Sequence, residues 1–376
     1  MNMKNKNYKT CRLNTFLFLI ITLFCFNLKA IQMIKISIGI EKNQAVITGH
    51  TLLLRIGNHI ITTAKRLKLE SGKTGIVFDK KTLNSRSITI SSDKPIFYNK
   101  RAYHRKIEIA WYKTKKKSHL LIIHYLPLEH YVLGTVASEM PTNWPLEALK
   151  AQAIAARTYA LEKKYKSLHK PYHMESTVLH QVYSGINNIN KNVGQAVKQT
   201  KGQVIVFENK LIQAMFHSTC GGKTENSRDV WGGHLPYLIS VHCDYCKFSN
   251  TYRWKREFST PKINYTLGKK VGQIKNIHIV KKTKAGRAKK IRIKGSIKTK
   301  IFTANQFRGE LGFSKMPSTW FSSLAFKFRK LHIRGRGFGH GVGLCQWGAY
   351  GMAKANHKAK QIIIHYYPGT EIRRMY

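Results

Sequence analysis

Asn143-Trp144-Pro145-Leu146-Glu147-Ala148-Leu149-Lys150-Ala151-Gln152-Ala153-Ile154-Ala155-Ala156-Arg157-Thr158-Tyr159-Ala160-Leu161 reads as a helix that belongs inside a protein. Asn143 is a candidate N-cap, Pro145 an early proline, and Glu147 an acid in the first turn. The remainder is rich in Ala, with apolar residues on most sides, so burial is expected. Just upstream, Leu133-Gly134-Thr135-Val136-Ala137-Ser138-Glu139-Met140-Pro141 carries a helical turn pattern that Pro141 ends. Before that, residues 31–125 look β-rich. Ile34-Lys35-Ile36-Ser37-Ile38-Gly39-Ile40 alternates, and similar runs recur at 51–56, 87–91 and 120–125. Downstream, 255–330 returns to strand-like alternation, as in Ile291-Arg292-Ile293-Lys294-Gly295. The charges of 281–300 are all basic, and Ala285-Gly286-Arg287 reads as the tip of a solvated hairpin. The fold class is α+β: a β-rich region, 31–125, then a mixed α/β region, 126–376, with 255–330 inserted in it as a β-rich segment.

The 376 residues hold 66 Lys+Arg against 17 Asp+Glu, a formal net charge of +49. With 43% hydrophobic and 11% aromatic residues, the chain is not a disordered basic tail. The charge points to an anionic partner: nucleic acid, an acidic membrane surface, or an anionic wall polymer. Lys4, Lys6, Lys9 and Arg12 precede an apolar run from Phe16 to Phe26, and Leu28-Lys29-Ala30 follows. Residues 1–30 read as a secretory signal peptide or an uncleaved N-terminal anchor. The run is short against the roughly 20 residues of a membrane span. Either reading places the body outside the cytoplasm. No nucleic-acid-binding motif accompanies the charge, so nucleic acid is set aside as a partner.

Acids are scarce, so one in an apolar setting stands out. Desolvation of Glu139 would raise its pKa and keep it protonated as a general acid; the plainer reading is a solvated carboxylate at a helix end. Arg157 lies on a buried-looking helix face and needs an anionic partner there, either Glu139 or a bound substrate, unless it snorkels to water. Gly335-Arg336-Gly337-Phe338-Gly339-His340-Gly341-Val342-Gly343 has Gly at every second position. As an extended segment it would present one bare face and one face carrying Arg336, Phe338, His340 and Val342. His340, Gln346 and Trp347 suit a sugar, as imidazole, amide and flat ring. His217-x2-Cys220 and Cys243-x2-Cys246 have zinc-ligand spacing, and a closed four-ligand site of this kind would be structural; the alternatives in an exported protein are a disulfide or free thiols.

Several segments together resemble the SpoIID/LytB family. They are Pro127-Leu128-Glu129-His130-Tyr131-Val132-Leu133-Gly134 through Pro141, the helix from Trp144 to Ala160, Gln181-Val182-Tyr183-Ser184-Gly185, Gly221-Gly222-Lys223-Thr224-Glu225 with Asp229-Val230-Trp231-Gly232, Pro236-Tyr237-Leu238, the Gly-rich segment through Gln346-Trp347-Gly348-Ala349-Tyr350-Gly351-Met352-Ala353, and His365-Tyr366-Tyr367-Pro368-Gly369-Thr370. They run in order over roughly 125–376.

The resemblance implies a mixed α/β catalytic core with a substrate cleft. The implied activity is a peptidoglycan lytic transglycosylase acting on peptide-stripped glycan strands and leaving 1,6-anhydro ends. Other members are enhancers of wall amidases, which makes an amidase a candidate partner. Glu139 matches the family's catalytic acid and Arg157 an important family arginine. Gln181, Tyr183, Ser218, Lys223 and Thr224 join His340, Gln346 and Trp347 as candidate substrate-binding residues. There are departures. Some members hold zinc through Cys and His just before the Gln-Val-Tyr motif, but His173-Met174-Glu175-Ser176-Thr177-Val178-Leu179-His180 has no Cys, and Cys345 stands where many relatives carry Ser.

Overall fold

The alternation at Ile34 and Ile36 is that of a strand with one covered face, and a computed structural model of the protein builds it as β1 (Met33–Glu41). The structure describes residues 31–114, 117–177 and 180–376. The signal-peptide or anchor reading of residues 1–30 lies outside them. β1 pairs antiparallel with Ser118–Pro127 and parallel with the two-residue strand Met174–Glu175. From Ser118–Pro127 the sheet continues through Lys106–Lys113 and Ser87–Ser91 to β2 (Gln44–Ile56) and β3 (His59–Ser71). Leu120, Leu121, Ile122 and Ile123 are all buried, so this inner strand is covered on both faces.

Two helices follow the sheet without a long loop. Helix α1 (Leu128–Glu139) starts directly from the strand end at Pro127 and stops where Met140 turns extended before Pro141. Helix α2 (Leu146–Lys166) begins two residues later than an Asn143 cap would place it. Asn143 is exposed and outside the helix; Pro145, with φ −52°, occupies the cap position itself, and no side chain caps it. Burial on every side of α2 follows from its composition. Ala148, Ala151, Ala153, Ala155, Ala156 and Ala160 let α1, the helices Lys191–Gln199, Gln346–Lys354 and Ala359–Tyr366, and the strand Gln203–Phe207 all approach the same cylinder. The β-rich sheet and these helices share one hydrophobic core, from Ile34 to Tyr367.

Residues 253–336 carry a second core, formed by Trp254, Phe258, Ile277, Ile291, Ile293, Phe307, Phe321 and Ile333 among others. Its hairpin, Ile274–Lys282 with Ala288–Gly295, turns at Gly286 (φ 95°), as the sequence predicts. The tip is not solvated, however. Ala285 and Arg287 are buried, and the Arg287 Nη2 donates to the Cys220 carbonyl at 2.7 Å. The rest of the hairpin remains basic. No helix among the described residues is long and apolar enough to cross a membrane.

Candidate active site

Glu139 is the last residue of α1 and is partly buried. Its Oε1 accepts from the Val182 backbone N–H at 2.6 Å, and its Oε2 from the Gln346 Nε2 at 3.3 Å. Burial raises the carboxyl pKa above its ordinary value; the two donors oppose that shift without cancelling it. A carboxyl so placed keeps its proton to higher pH than a surface Glu, yet has two neutral donors ready for the anion.

Gln346 opens the helix Gln346–Lys354, and next to it the rings of Trp347 and Trp144 meet edge to face at 4.7 Å. Tyr350 packs on both, at 5.4 and 5.0 Å. The Trp347 N–H donates to the Ser218 carbonyl at 3.0 Å, which brings Ser218 to the same region. The adjoining His217 ring packs on His340 at 5.4 Å, and His340 in turn on Trp231, whose ring is exposed. Burial, with Arg308 and Arg287 nearby, pushes His340 down to about 3, so its imidazole is neutral at working pH. Glu139, Gln346, Trp347, Ser218 and His340 thus belong to one neighbourhood. A depression of about 590 Å³ lined by Glu147, Lys150, Thr200, Lys358 and Arg373 does not include Glu139.

Other predicted residues lie elsewhere, and each has a physical reason. Arg157 does not face Glu139 or solvent. It is wholly buried and forms a two-pronged pair with Glu129, Nε to Oε1 at 2.8 Å and Nη2 to Oε2 at 2.7 Å. Its Nη1 donates to the carbonyls of Ala153 and Gln203. Gln181 and Tyr183 are also buried: Tyr131 donates to the Gln181 Oε1 at 2.7 Å, and the Tyr183 hydroxyl meets the His124 Nδ1 at 2.9 Å. Between them Val182 presents its N–H to Glu139. The motif therefore serves the site through its backbone while its polar side chains anchor it. Thr224 is buried and accepts from the Val241 N–H at 2.7 Å. Lys223, partly exposed, sits in a bridge with His242.

The Gly-rich segment is not an extended strand with a bare face. After Gly335 the backbone takes positive φ at Gly337, Gly339, Gly341 and Gly343. At Gly341 (φ 86°) a Cβ would stand 2.5 Å from the Arg287 guanidinium carbon; at Gly343 (φ 70°) it would stand 2.1 Å from the Met215 carbonyl oxygen. The glycines let a looped strap press onto its neighbours. That strap delivers Leu344–Cys345 parallel to Phe216–His217. The grouping around the cysteines also differs from the expected one. His217 turns away, its Nδ1 donating to the Val342 carbonyl at 3.1 Å, and Cys345 joins Cys220, Cys243 and Cys246 instead. Sequence reasoning missed Glu129, Trp144, Arg287 and the placement of Cys345 beside the other three cysteines.

Residues 116–207 match the family model described as Stage II sporulation protein, and residues 233–343 match that of a domain of unknown function, DUF8618. Stage II sporulation protein D of Bacillus amyloliquefaciens is 34% identical over 282 residues, 71% of this chain and 78% of that protein. The chain belongs to the SpoIID family. An uncharacterized protein of Brachyspira hyodysenteriae is 37% identical over 261 residues, 67% of this chain and 68% of its own. The amidase enhancer of Bacillus subtilis is 29% identical over 292 residues, 64% of this chain and 40% of the enhancer. Within this SpoIID chain, the sporulation-protein match includes Glu139, Arg157 and Val182, whereas Gln346 lies beyond both matched spans.

Proposed function

We propose that this SpoIID-family protein is a peptidoglycan lytic transglycosylase acting outside the cytoplasm on the bond between N-acetylmuramic acid and N-acetylglucosamine in peptide-stripped strands. The observation that carries the reading is a single desolvated carboxyl, Glu139, whose hydrogen-bond partners are an amide N–H and a side-chain amide rather than a second carboxylate. An ordinary glycosidase uses two carboxyl groups. Here one group serves twice. Protonated Glu139 gives its proton to the glycosidic oxygen as the bond to C1 breaks and an oxocarbenium-like centre forms. The carboxylate then takes the proton of the muramic acid 6-hydroxyl as that oxygen attacks C1 and closes the 1,6-anhydro ring. Val182 and Gln346 stabilise the carboxylate between the steps. The nucleophile is already part of the substrate, so no water has to be positioned. Trp347 and Tyr350, both partly exposed and backed by the buried Trp144, offer ring surface to sugar faces beside the acid.

General acid–base catalysis of this kind contributes about 10²–10⁴-fold, so Glu139→Gln loses at least about 100-fold in strand cleavage. The test is digestion of peptide-free and peptide-bearing glycan by wild type and Glu139→Gln, with mass spectrometry of the new ends. Anhydro ends from wild type alone support the proposal; full cleavage by Glu139→Gln sinks it, and ordinary reducing ends indicate a hydrolase. A second reading, suggested by the likeness to the amidase enhancer, is a non-catalytic wall-binding protein that activates a separate amidase. No cleavage by wild type, with stimulation of an added amidase, would favour it.

A further inference from the structure

We infer that Cys220, Cys243, Cys246 and Cys345 together bind one zinc ion in a closed four-thiolate site. The four cysteines come from three separated segments. Cys220 lies just after the strand Phe216–His217, Cys243 and Cys246 lie at the start and within the turn Asp244–Phe248, and Cys345 ends the Gly-rich strap. All four are buried, and their Sγ atoms lie within 4.8 Å of one another. A zinc ion with four sulfurs at about 2.3 Å needs them about 3.8 Å apart at tetrahedral corners, so the set closes on a metal with a small contraction.

Disulfide pairing accounts for the arrangement less well. The Cys220–Cys246 Sγ separation is 3.5 Å, well beyond a bond of about 2.05 Å. One such bond would also leave Cys243 and Cys345 as two thiols without a function in an apolar core. The surroundings are instead set for sulfur that carries charge. The backbone N–H groups of Cys220 and Gly348 both point at the Cys345 Sγ, at 3.2 and 3.3 Å, and the Tyr366 hydroxyl meets the Cys243 Sγ at 3.0 Å.

Arg287 is the independent observation. It is a buried cation whose Nε and Nη1 have no hydrogen-bond partner, while its Nη2 donates to the carbonyl of Cys220. The nearest carboxylate oxygen, on Glu225, stands 4.0 Å away. Four thiolates around a divalent ion carry a net charge of −2, and a buried arginine against one ligand's backbone offsets part of it. The site has no open position, so its role is to hold the three segments together. Cys345 immediately precedes Gln346, so this joint sits directly behind the candidate acid.

The proposal does not rest on glycan cleavage, and its test does not read cleavage. The full chain, purified under reducing conditions from zinc-supplemented cells, is assayed for metal by mass spectrometry. It is then stripped and refolded with cobalt(II). One zinc per chain, and a thiolate-to-cobalt charge-transfer band with tetrahedral d–d bands, are expected. Cys345→Ser should lower zinc affinity at least tenfold, whereas His217→Ala should keep one zinc. Iron in place of zinc, no metal, zinc kept by Cys345→Ser but lost by His217→Ala, or a Cys220–Cys246 disulfide in non-reducing peptide maps would each overturn it. Should Cys345→Ser fail to fold, the wild-type cobalt spectrum still decides.

Discussion

Glu139 combines two demands that oppose each other. Burial raises its pKa, whereas the donors from Val182 and Gln346 favour the anion. A carboxyl with a raised folded-state pKa binds its proton more tightly in the native protein than in the unfolded chain. Its ionisation therefore destabilises the fold as pH rises from the unfolded value, about 4.3, through the folded one. Glu139→Gln removes that penalty. The variant should melt higher than wild type at pH 8, and the gap should close as pH falls to 4 in buffered thermal scans. A gap of equal size at both pH values would mean that Glu139 is not desolvated. The acid was legible in the sequence because acids are few and its neighbours apolar. Its donors were not, since one is a backbone N–H flanked by the two side chains that drew attention, Gln181 and Tyr183.

At the scale of elements, Arg157 acts as a rivet. From α2 it reaches Glu129 on α1, and it also reaches the Gln203 carbonyl at the start of the next strand; the Tyr376 hydroxyl donates to Glu129 as well. Although burial alone would raise the Glu129 pKa, the bonds and charge of Arg157 hold it below the ordinary value. Breaking a buried pair costs about 3–5 kcal/mol, and Arg157→Ala should lose that much in urea unfolding. Arg157→Lys should recover only part, because one ammonium cannot reproduce the planar fork. A variant as stable as wild type but inactive would return Arg157 to the chemistry. Which of 17 acids faces an arginine is a tertiary fact that helix periodicity cannot carry. The strands at 34–40, 51–56 and 87–91, by contrast, were legible because period-two alternation is local, and that at 120–125 because a short run of Leu and Ile marks a strand covered on both faces. The Gly-rich strap misled for a related reason: spacing by two fits a strand, but here it marks positive φ at successive close approaches. The place of Cys345 beside Cys220, Cys243 and Cys246 was unreadable until the strap set it parallel to Phe216–His217.

For the whole molecule, the charge of +49 sits largely on exposed lysines and arginines, including those along the hairpin of the second core. Adhesion to an anionic wall or membrane surface should weaken steeply with salt, since the screening length shrinks from about 10 Å at 0.1 M to about 3 Å at 1 M. Co-sedimentation with purified walls from 0.05 to 1 M NaCl, ranges set by those lengths, checks this. Retention unchanged at the high end would assign binding to uncharged contacts such as the Trp347 and Tyr350 rings.

Glu139 and the Gln346 that touches it are separated by 207 positions in the chain. A polypeptide made from its N-terminus therefore carries the carboxyl long before it carries one of that carboxyl's two donors. Until the strap and the helix Gln346–Lys354 have docked, the environment that sets the acid is incomplete. Long-range closure of this kind is slow compared with local helix formation. The environment of Glu139 is thus complete only once the C-terminal part of the chain is made and docked, so an unfinished chain holds this carboxyl without its Gln346 partner.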